Sequence, residues 1–347
     1  NHFKSLDGLR GFAVLIVLLS HTSNFEIFFH KYLNFQQIGK IGVYLFFVLS
    51  AYLLDRQIAI KLYEGKATKS YWLNYMLRRF LRIYPLYALS LCYFGFFSLM
   101  GYNTVIDTMI DLPMHLALLK GESIFWSIPV EFKYYLISPF IMLFCQKYLK
   151  WDNKRVFILL FSIIALTIIF NISLLQSNIS TLKFFPIFLV GTAISIYEIF
   201  TNRKYFYINK TFIDIGGLLA LAILFLTIPF YFNKIFSFNL DVHSLNLLLP
   251  FSILWGIILI SCKYGKNIMK SIFEIKLLRF FGTISYSMYL LHEPILSMVC
   301  SSKLGLPDGV KIYVFFFVVI IISSLSYLFI EKALSKIRYK NKKLIFN

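Results

Sequence analysis

Apolar residues run along this chain in blocks of about twenty, the length that crosses a hydrocarbon core as a helix. Windows of that size pick out spans near 9–29, 38–56, 79–100, 124–146, 155–176, 181–201, 212–232, 244–262, 280–301 and 311–331. The pattern predicts an all-α, polytopic membrane protein of about ten transmembrane helices, with a single membrane domain over 1–347. The first block is too long for a signal-peptide core and no small-residue cleavage site follows it, so it reads as a retained first span. No internal repeat or low-complexity tract stands out, and no hydrophilic link is long enough for a separate domain. The link at 57–78 is basic and aromatic (KLYEGKATKSYWLNYMLRR), which predicts a helix lying along the membrane surface. The link at 101–123 carries Asp107, Asp111, His115 and Glu122.

Composition agrees with this class. Hydrophobic residues make up 59% of the 347 and charged residues only 15%, more apolar surface than a soluble chain of this size can hide. The net charge of +19 could suggest nucleic acid, but the basic residues cluster in alternate links. Of 35 Lys and Arg, 27 fall on the side of the termini and seven on the other, with Lys133 inside a span. This bias predicts cytoplasmic termini in a multi-pass protein of the cytoplasmic (inner) membrane. Cys92, Cys145, Cys262 and Cys300 are scattered through apolar blocks, and no two have metal-ligand spacing.

Three spans carry ionisable residues, which are costly in lipid and mark functional sites by default. Arg10 and His21 lie eleven residues apart in LDGLRGFAVLIVLLSHTSNF, on one helix face and about 16 Å apart along the axis. This reading puts His21 about halfway across the membrane. In FWSIPVEFKYYLISP, Glu131, Tyr134, Tyr135 and Ser138 form one polar stripe, with Pro139 below it. In FFGTISYSMYLLHEPI, Ser285, Tyr289 and His292 share a face. The expected depths of His21, Glu131 and His292 would let them meet in one cavity. An imidazole oriented by a carboxylate is a general base near neutral pH, suited to deprotonating a hydroxyl. No metal site is expected, since no His pair stands at i, i+4.

A second constellation, Arg78, Arg79 and Arg82, precedes Tyr84 and Pro85. Arg78 and Arg82 share a face by spacing. With Arg10 at a similar level, these planar donor forks suit a phosphate-rich cytosolic ligand. Plain positive-inside anchoring or lipid-headgroup contact is the competing reading.

Together these segments resemble the membrane acyltransferase-3 family. The resemblance covers nearly the whole chain and rests on LDGLRGFAVLIVLLSH (Leu6 to His21), GVYLFFVLSAYLL (Gly42 to Leu54), RRFLRIYP (Arg78 to Pro85), WSIPVEFKYYLISP (Trp126 to Pro139), FFPIFLVG (Phe184 to Gly191) and ISYSMYLLHEP (Ile284 to Pro294). Ala51, Ala333 and Glu293 depart from the usual pattern, which more often has Gly, Pro and an aromatic residue there. None touches the Arg10–His21 pair.

The resemblance implies an O-acyltransferase, usually an O-acetyltransferase. The acyl group would move from cytosolic acyl-CoA to a hydroxyl of an envelope polysaccharide or polyprenyl-linked sugar at the extracytoplasmic side. No cofactor is expected to be bound permanently; acetyl-CoA is the donor. His21 would be the base and Glu131 its orienting carboxylate. Arg10, Arg78, Arg79 and Arg82 would hold CoA, while Trp126, Tyr135, Ser285, Tyr289 and His292 would line the acceptor side. Direct attack is favoured, and a covalent acyl-enzyme through Tyr135 or Ser285 stays open. No appended hydrolase-like domain is read in the chain, so it would act alone, hand the acyl group to another protein, or accept substrate at the membrane face. The alternative is a transporter or flippase of an anionic lipid-linked sugar, using the same buried charges as a path.

Overall fold

A computed structural model describes residues 3–101, 111–171, 179–201, 209–301, 304–340 and 343–346. Asp107 of the acidic link lies outside them. The helices in chain order are α1 (Lys4–Asn24), α2 (Gly39–Tyr63), α3 (Lys69–Leu99), α4 (Asp111–Leu116), α5 (Ser127–Lys147), α6 (Asn153–Asn171), α7 (Thr181–Phe200) and α8 (Lys210–Leu226). There follow α9 (Pro229–Phe236), α10 (Leu248–Tyr264), α11 (Ile268–Phe273), α12 (Lys276–Thr283), α13 (Ser285–Cys300), α14 (Asp308–Ser326) and α15 (Lys332–Leu334). A π-turn, Tyr327–Glu331, joins the last two, and a small antiparallel hairpin of β1 (Ile337–Lys340) and β2 (Lys343–Phe346) closes the chain.

Among the described residues each apolar block is mostly helical, and the protein is a multi-pass membrane protein. Seven helices among the described residues are long and apolar enough to cross a membrane: α1, α2, α3, α5 with the turn before it, α7, α10 with the turn before it, and α14 continued to Leu334. The α8–α9 pair, bent by 83°, makes an eighth if it is one span. Pro229 opens α9, where its missing N–H costs nothing. The ninth block breaks at Ile284 into α12 and α13, of eight and 16 residues. The surface helix expected over 57–78 does not form. Instead α2 runs on to Tyr63 and α3 starts at Lys69, where Thr68 accepts the Tyr71 N–H. Long Lys and Arg stems on an amphipathic end extend a helix as readily as they anchor one.

The chain forms two compact units. The first comprises Asn1–Ile60, Ser138–Gln176 and Leu182–Ser285. The second comprises Lys61–Ile137, Ser177–Thr181 and Tyr286–Asn347.

In the first unit, glycines set how near the backbones come. A Cβ at Gly8 would lie 1.7 Å from the Phe273 carbonyl oxygen, one at Gly11 1.9 Å from that of Leu278, and one at Gly282 1.8 Å from that of Asp7. The glycines of LDGLRG thus seat α1 backbone to backbone on α11 and α12, as small residues do where lipid offers helices no hydrophobic drive. Gly191 plays this part for α7 on α2, meeting the Val48 carbonyl at 2.3 Å and the Ala51 methyl at 3.1 Å. The departure at Ala51 is therefore accommodated by the glycine opposite.

Buried acids tie the first unit together. Asp55 is fully buried and accepts from the hydroxyls of Ser138 and Thr192, the latter at 2.5 Å. Asp214, also fully buried, accepts from Ser261 at 3.1 Å and from the N–H groups of Asn267 and Ile268 at 3.0 Å each, capping α11. Glu198 takes Arg56 at 3.0 Å, the Tyr52 hydroxyl at 2.5 Å and the Lys263 ammonium.

In the second unit, α3 is the spine. Tyr84 and Tyr87 donate to the carbonyls of Leu116 and His115 at 3.0 and 2.7 Å and so pin α4. Tyr286 of α13 donates to the Ile83 carbonyl at 2.7 Å.

Candidate active site

The second unit gathers most of the expected site residues. On α5, Tyr135 lies one turn after Glu131 and donates its hydroxyl to Glu131 Oε1 at 2.5 Å. The Tyr135 carbonyl accepts from Tyr75 at 2.8 Å, which fixes α5 to α3 at this level. Arg79 stacks over both rings, 5.5 Å from the Tyr135 centroid and 6.0 Å from that of Tyr75. Its Nε is buried, and among the described residues no hydrogen-bond acceptor answers it. Arg82 lies within electrostatic reach of Tyr135 and of Glu331. Glu331 closes the π-turn and accepts from the Ser287 hydroxyl, with Ser326 at 3.2 Å from the same oxygen. Tyr286 lies within electrostatic reach of Glu131, Glu331 and Tyr135.

The arginines divide differently from their spacing. Arg78 is exposed, donates to the Asn74 carbonyl at 3.2 Å and sits near Tyr71 and Arg338. Arg79 turns inward, half-buried with its Nε covered, whereas Arg82 is exposed like Arg78 but lies within electrostatic reach of Tyr135 and Glu331. Spacing favoured Arg78 with Arg82 at i, i+4; the surroundings single out Arg79 with Arg82 at i, i+3.

A four-residue turn, Ser123–Trp126, leads into α5, and Trp126 is 8% exposed. Tyr289 locks this turn: its hydroxyl accepts from Ser127 at 2.9 Å and donates to the Ile124 carbonyl at 2.7 Å. His292, fully buried, uses Nδ1 on the carbonyls of Tyr289 at 2.8 Å and Met288 at 3.2 Å. Both partners are acceptors, so Nδ1 carries the proton and the lone pair of the neutral ring falls on Nε2.

Arg10, His21 and Ser285 belong to the first unit. His21 lies in the last turn of α1, because the helix runs from 4 to 24 where the apolar window predicted 9–29. The polar start KSLDG is helical although not apolar, so His21 sits near the end of the helix and not at its middle. Gly39 faces its ring: a Cβ there would stand 3.4 Å from Cδ2 and 3.5 Å from Nε2. Ser20 accepts the Gly39 N–H at 2.9 Å, so α2 begins against the turn that carries His21. Arg10 pairs with Asp7 at 3.4 Å. Ser285 donates to the Gly282 carbonyl at 3.0 Å.

Sequence reasoning missed Tyr75, Tyr286, Ser287 and Glu331. Glu331 had a signal, an acid at the end of an apolar block. The tyrosines had none, since 23 are spread along the chain.

An acyltransferase-domain model of the acyltransferase-3 family matches residues 3–330. The chain belongs to that family. It is 24% identical to the peptidoglycan O-acetyltransferase OatA of Listeria monocytogenes, over 96% of this chain and 56% of that protein. It is 23% identical to the O-acetyltransferase OatA of Staphylococcus aureus, over 98% of this chain and 58% of that one. Protein 2 in the picA locus of Rhizobium radiobacter is 35% identical over 123 residues, 35% of this chain and 59% of that protein. The chain thus spans less than three fifths of the length of the curated relatives it matches. No solved structure matches.

Proposed function

We propose that this protein is an integral membrane O-acetyltransferase. It moves an acetyl group from acetyl-CoA, held from the cytosol, to a hydroxyl of an envelope polysaccharide or lipid-linked sugar on the extracytoplasmic side. Both termini are cytoplasmic in this reading, and the membrane is the cytoplasmic one. One observation carries it: Arg79, whose Nε is buried and unanswered among the described residues, stacks on the tyrosine that holds Glu131. A guanidinium beside a fixed carboxylate within one unit suits an anionic ligand. The O-acetyltransferase relatives support the same chemistry.

Arg79 and Arg82 hold phosphate oxygens of CoA. His21 is the general base. The acceptor hydroxyl oxygen attacks the thioester carbonyl and His21 takes its proton. The carbon–sulfur bond then breaks, and the proton passes to the departing CoA thiolate. Glu131 is the second catalytic residue, and Trp126 and His292 serve the acceptor. Ser285 and Tyr289 spend their hydroxyls on backbone carbonyls, which favours direct attack over an acyl-enzyme at these positions.

The test is transfer of radiolabelled acetyl from acetyl-CoA to an N-acetylglucosamine tetramer by the full chain in nanodiscs. Label in the sugar, lost in His21→Ala, is expected. Absence of both acetyl-CoA binding and turnover would sink the reading.

A further inference from the structure

The turn Ser123–Trp126 is strained and borders two unanswered polar groups. Ser123 has φ +42°, a left-handed conformation that a serine rarely adopts. Its hydroxyl donates to Glu293 Oε1 at 2.6 Å. Tyr289 holds the same turn from the next step of α13 through Ser127 and Ile124. Glu293 Oε1 is therefore anchored by a residue whose backbone is in an unusual conformation, and the Ile124 N–H also favours the charged carboxylate. The other, Oε2, is buried, and among the described residues it has no hydrogen-bond partner. Also against this turn, fully buried His115 sets its ring edge-on to Phe125 at 6.1 Å. Neither of its ring nitrogens has a partner among the described residues.

Buried polar atoms are nearly always paired, and a carboxylate oxygen is among the costliest to leave alone. The same residue's other oxygen is well served, so the orphan does not come from a side chain left loose. It is a fixed acceptor waiting for a donor. Thioester and phosphate oxygens are themselves acceptors and would be repelled there. Sugar hydroxyls and acetamido N–H groups are donors, and a neutral imidazole nearby can serve a hydroxyl as donor or acceptor.

We propose that Glu293 selects the glycan acceptor, its Oε2 taking a hydrogen bond from a hydroxyl or amide N–H of the sugar, with His115 as a further contact. This rests on the acetyltransferase reading for its place in the reaction, but the binding step can be measured without turnover. Glu293→Gln keeps the size and an oxygen for Ser123, and puts an amide where the free acceptor stood.

Binding of tetramers of N-acetylglucosamine, glucosamine and glucose to the full chain in detergent is measured by saturation-transfer NMR and calorimetry. Acetyl-CoA binding is measured on the same samples. At least one tetramer binds the wild type, and Glu293→Gln and Glu293→Ala weaken it tenfold or more while acetyl-CoA affinity holds within threefold. Where turnover is present, the acceptor KM rises tenfold and kcat moves less than threefold. Equal loss of acetyl-CoA affinity would make Glu293 a structural residue and overturn the proposal. Unchanged sugar affinity, or no tetramer bound by the wild type, overturns it as well. Sugar binding that depends on Glu293 without any acetyl transfer would sink the acetyltransferase reading and leave this one standing.

Discussion

Tyr135 gives its hydroxyl to Glu131 at 2.5 Å and its ring face to Arg79 at 5.5 Å. Tyr135→Phe separates the two roles, since the ring stays and the hydrogen bond goes. A hydrogen bond to a charged group is worth about 1.5–3 kcal/mol, so kcat should fall roughly ten- to a hundredfold. Acetyl-CoA affinity should stay. An acyl-tyrosine mechanism predicts complete loss and, in the wild type, a covalent adduct by mass spectrometry.

The donor site can be tested by ranking arginines. Arg79→Ala should weaken acetyl-CoA binding by about one to two powers of ten, from the loss of charge-assisted bonds of about 1.5–3 kcal/mol. Arg79→Lys should restore only part, because an ammonium lacks the planar fork and stacks poorly. Arg78→Ala should change affinity less than threefold. The reverse order, measured by calorimetry at two salt concentrations, would return the arginines to a role in topology.

Sequence spacing found this cluster but could not order it. Arg78, Arg79 and Arg82 all lie within one helical turn, and periodicity cannot say which flank meets α5. The place of His21 within its helix differs from the apolar window for a related reason. A hydropathy window weighs apolar content, whereas Lys4, Ser5 and Asp7 enter α1 by backbone hydrogen bonding and by contact with α11 and α12. The helical blocks themselves were legible throughout, because lipid forces every backbone group into a helix. Asp55 and Asp214 stand near block ends, where the apolar pattern gives no sign that both are fully buried acceptors.

His21→Ala should reduce acetyl transfer below a tenth of wild type and leave acetyl-CoA affinity intact. The ring lies against Gly39, so Gly39→Val should also cut turnover by crowding it. Transfer kinetics beside calorimetric binding would check both; full turnover in His21→Ala removes it as base.

His115 lies outside the spanning segments, and burial holds its imidazole below the ordinary histidine range. Lys120 opposes its protonation further, while Glu122 and Asp111 favour it. The unfolded chain then binds the proton more readily, so stability is full above the ordinary pKa of about 6.5 and falls as pH drops through the window below it. The slope is at most about 1.4 kcal/mol per pH unit. Thermal midpoints between pH 7.5 and 5 should fall for the wild type and fall less for His115→Phe.

Gly11→Val should be unable to fold, since even a Cβ would stand 1.9 Å from the Leu278 carbonyl oxygen. Overpacking of a close contact costs about 1–3 kcal/mol or more. Monodisperse protein of wild-type thermal stability would contradict the packing.

The same glycine contacts set a schedule for making the protein. Gly8 and Gly11 leave the ribosome well before their seats at Phe273, Leu278 and Gly282, which come some 270 positions later. At about 5–20 residues per second, that interval is on the order of tens of seconds. Throughout it, α1 has inserted with its small-residue face uncovered, open to any other helix that can approach closely. The first unit is therefore completed only once α12 has been made, and a nascent chain halted before α11 would present that bare face to the cell's membrane quality control.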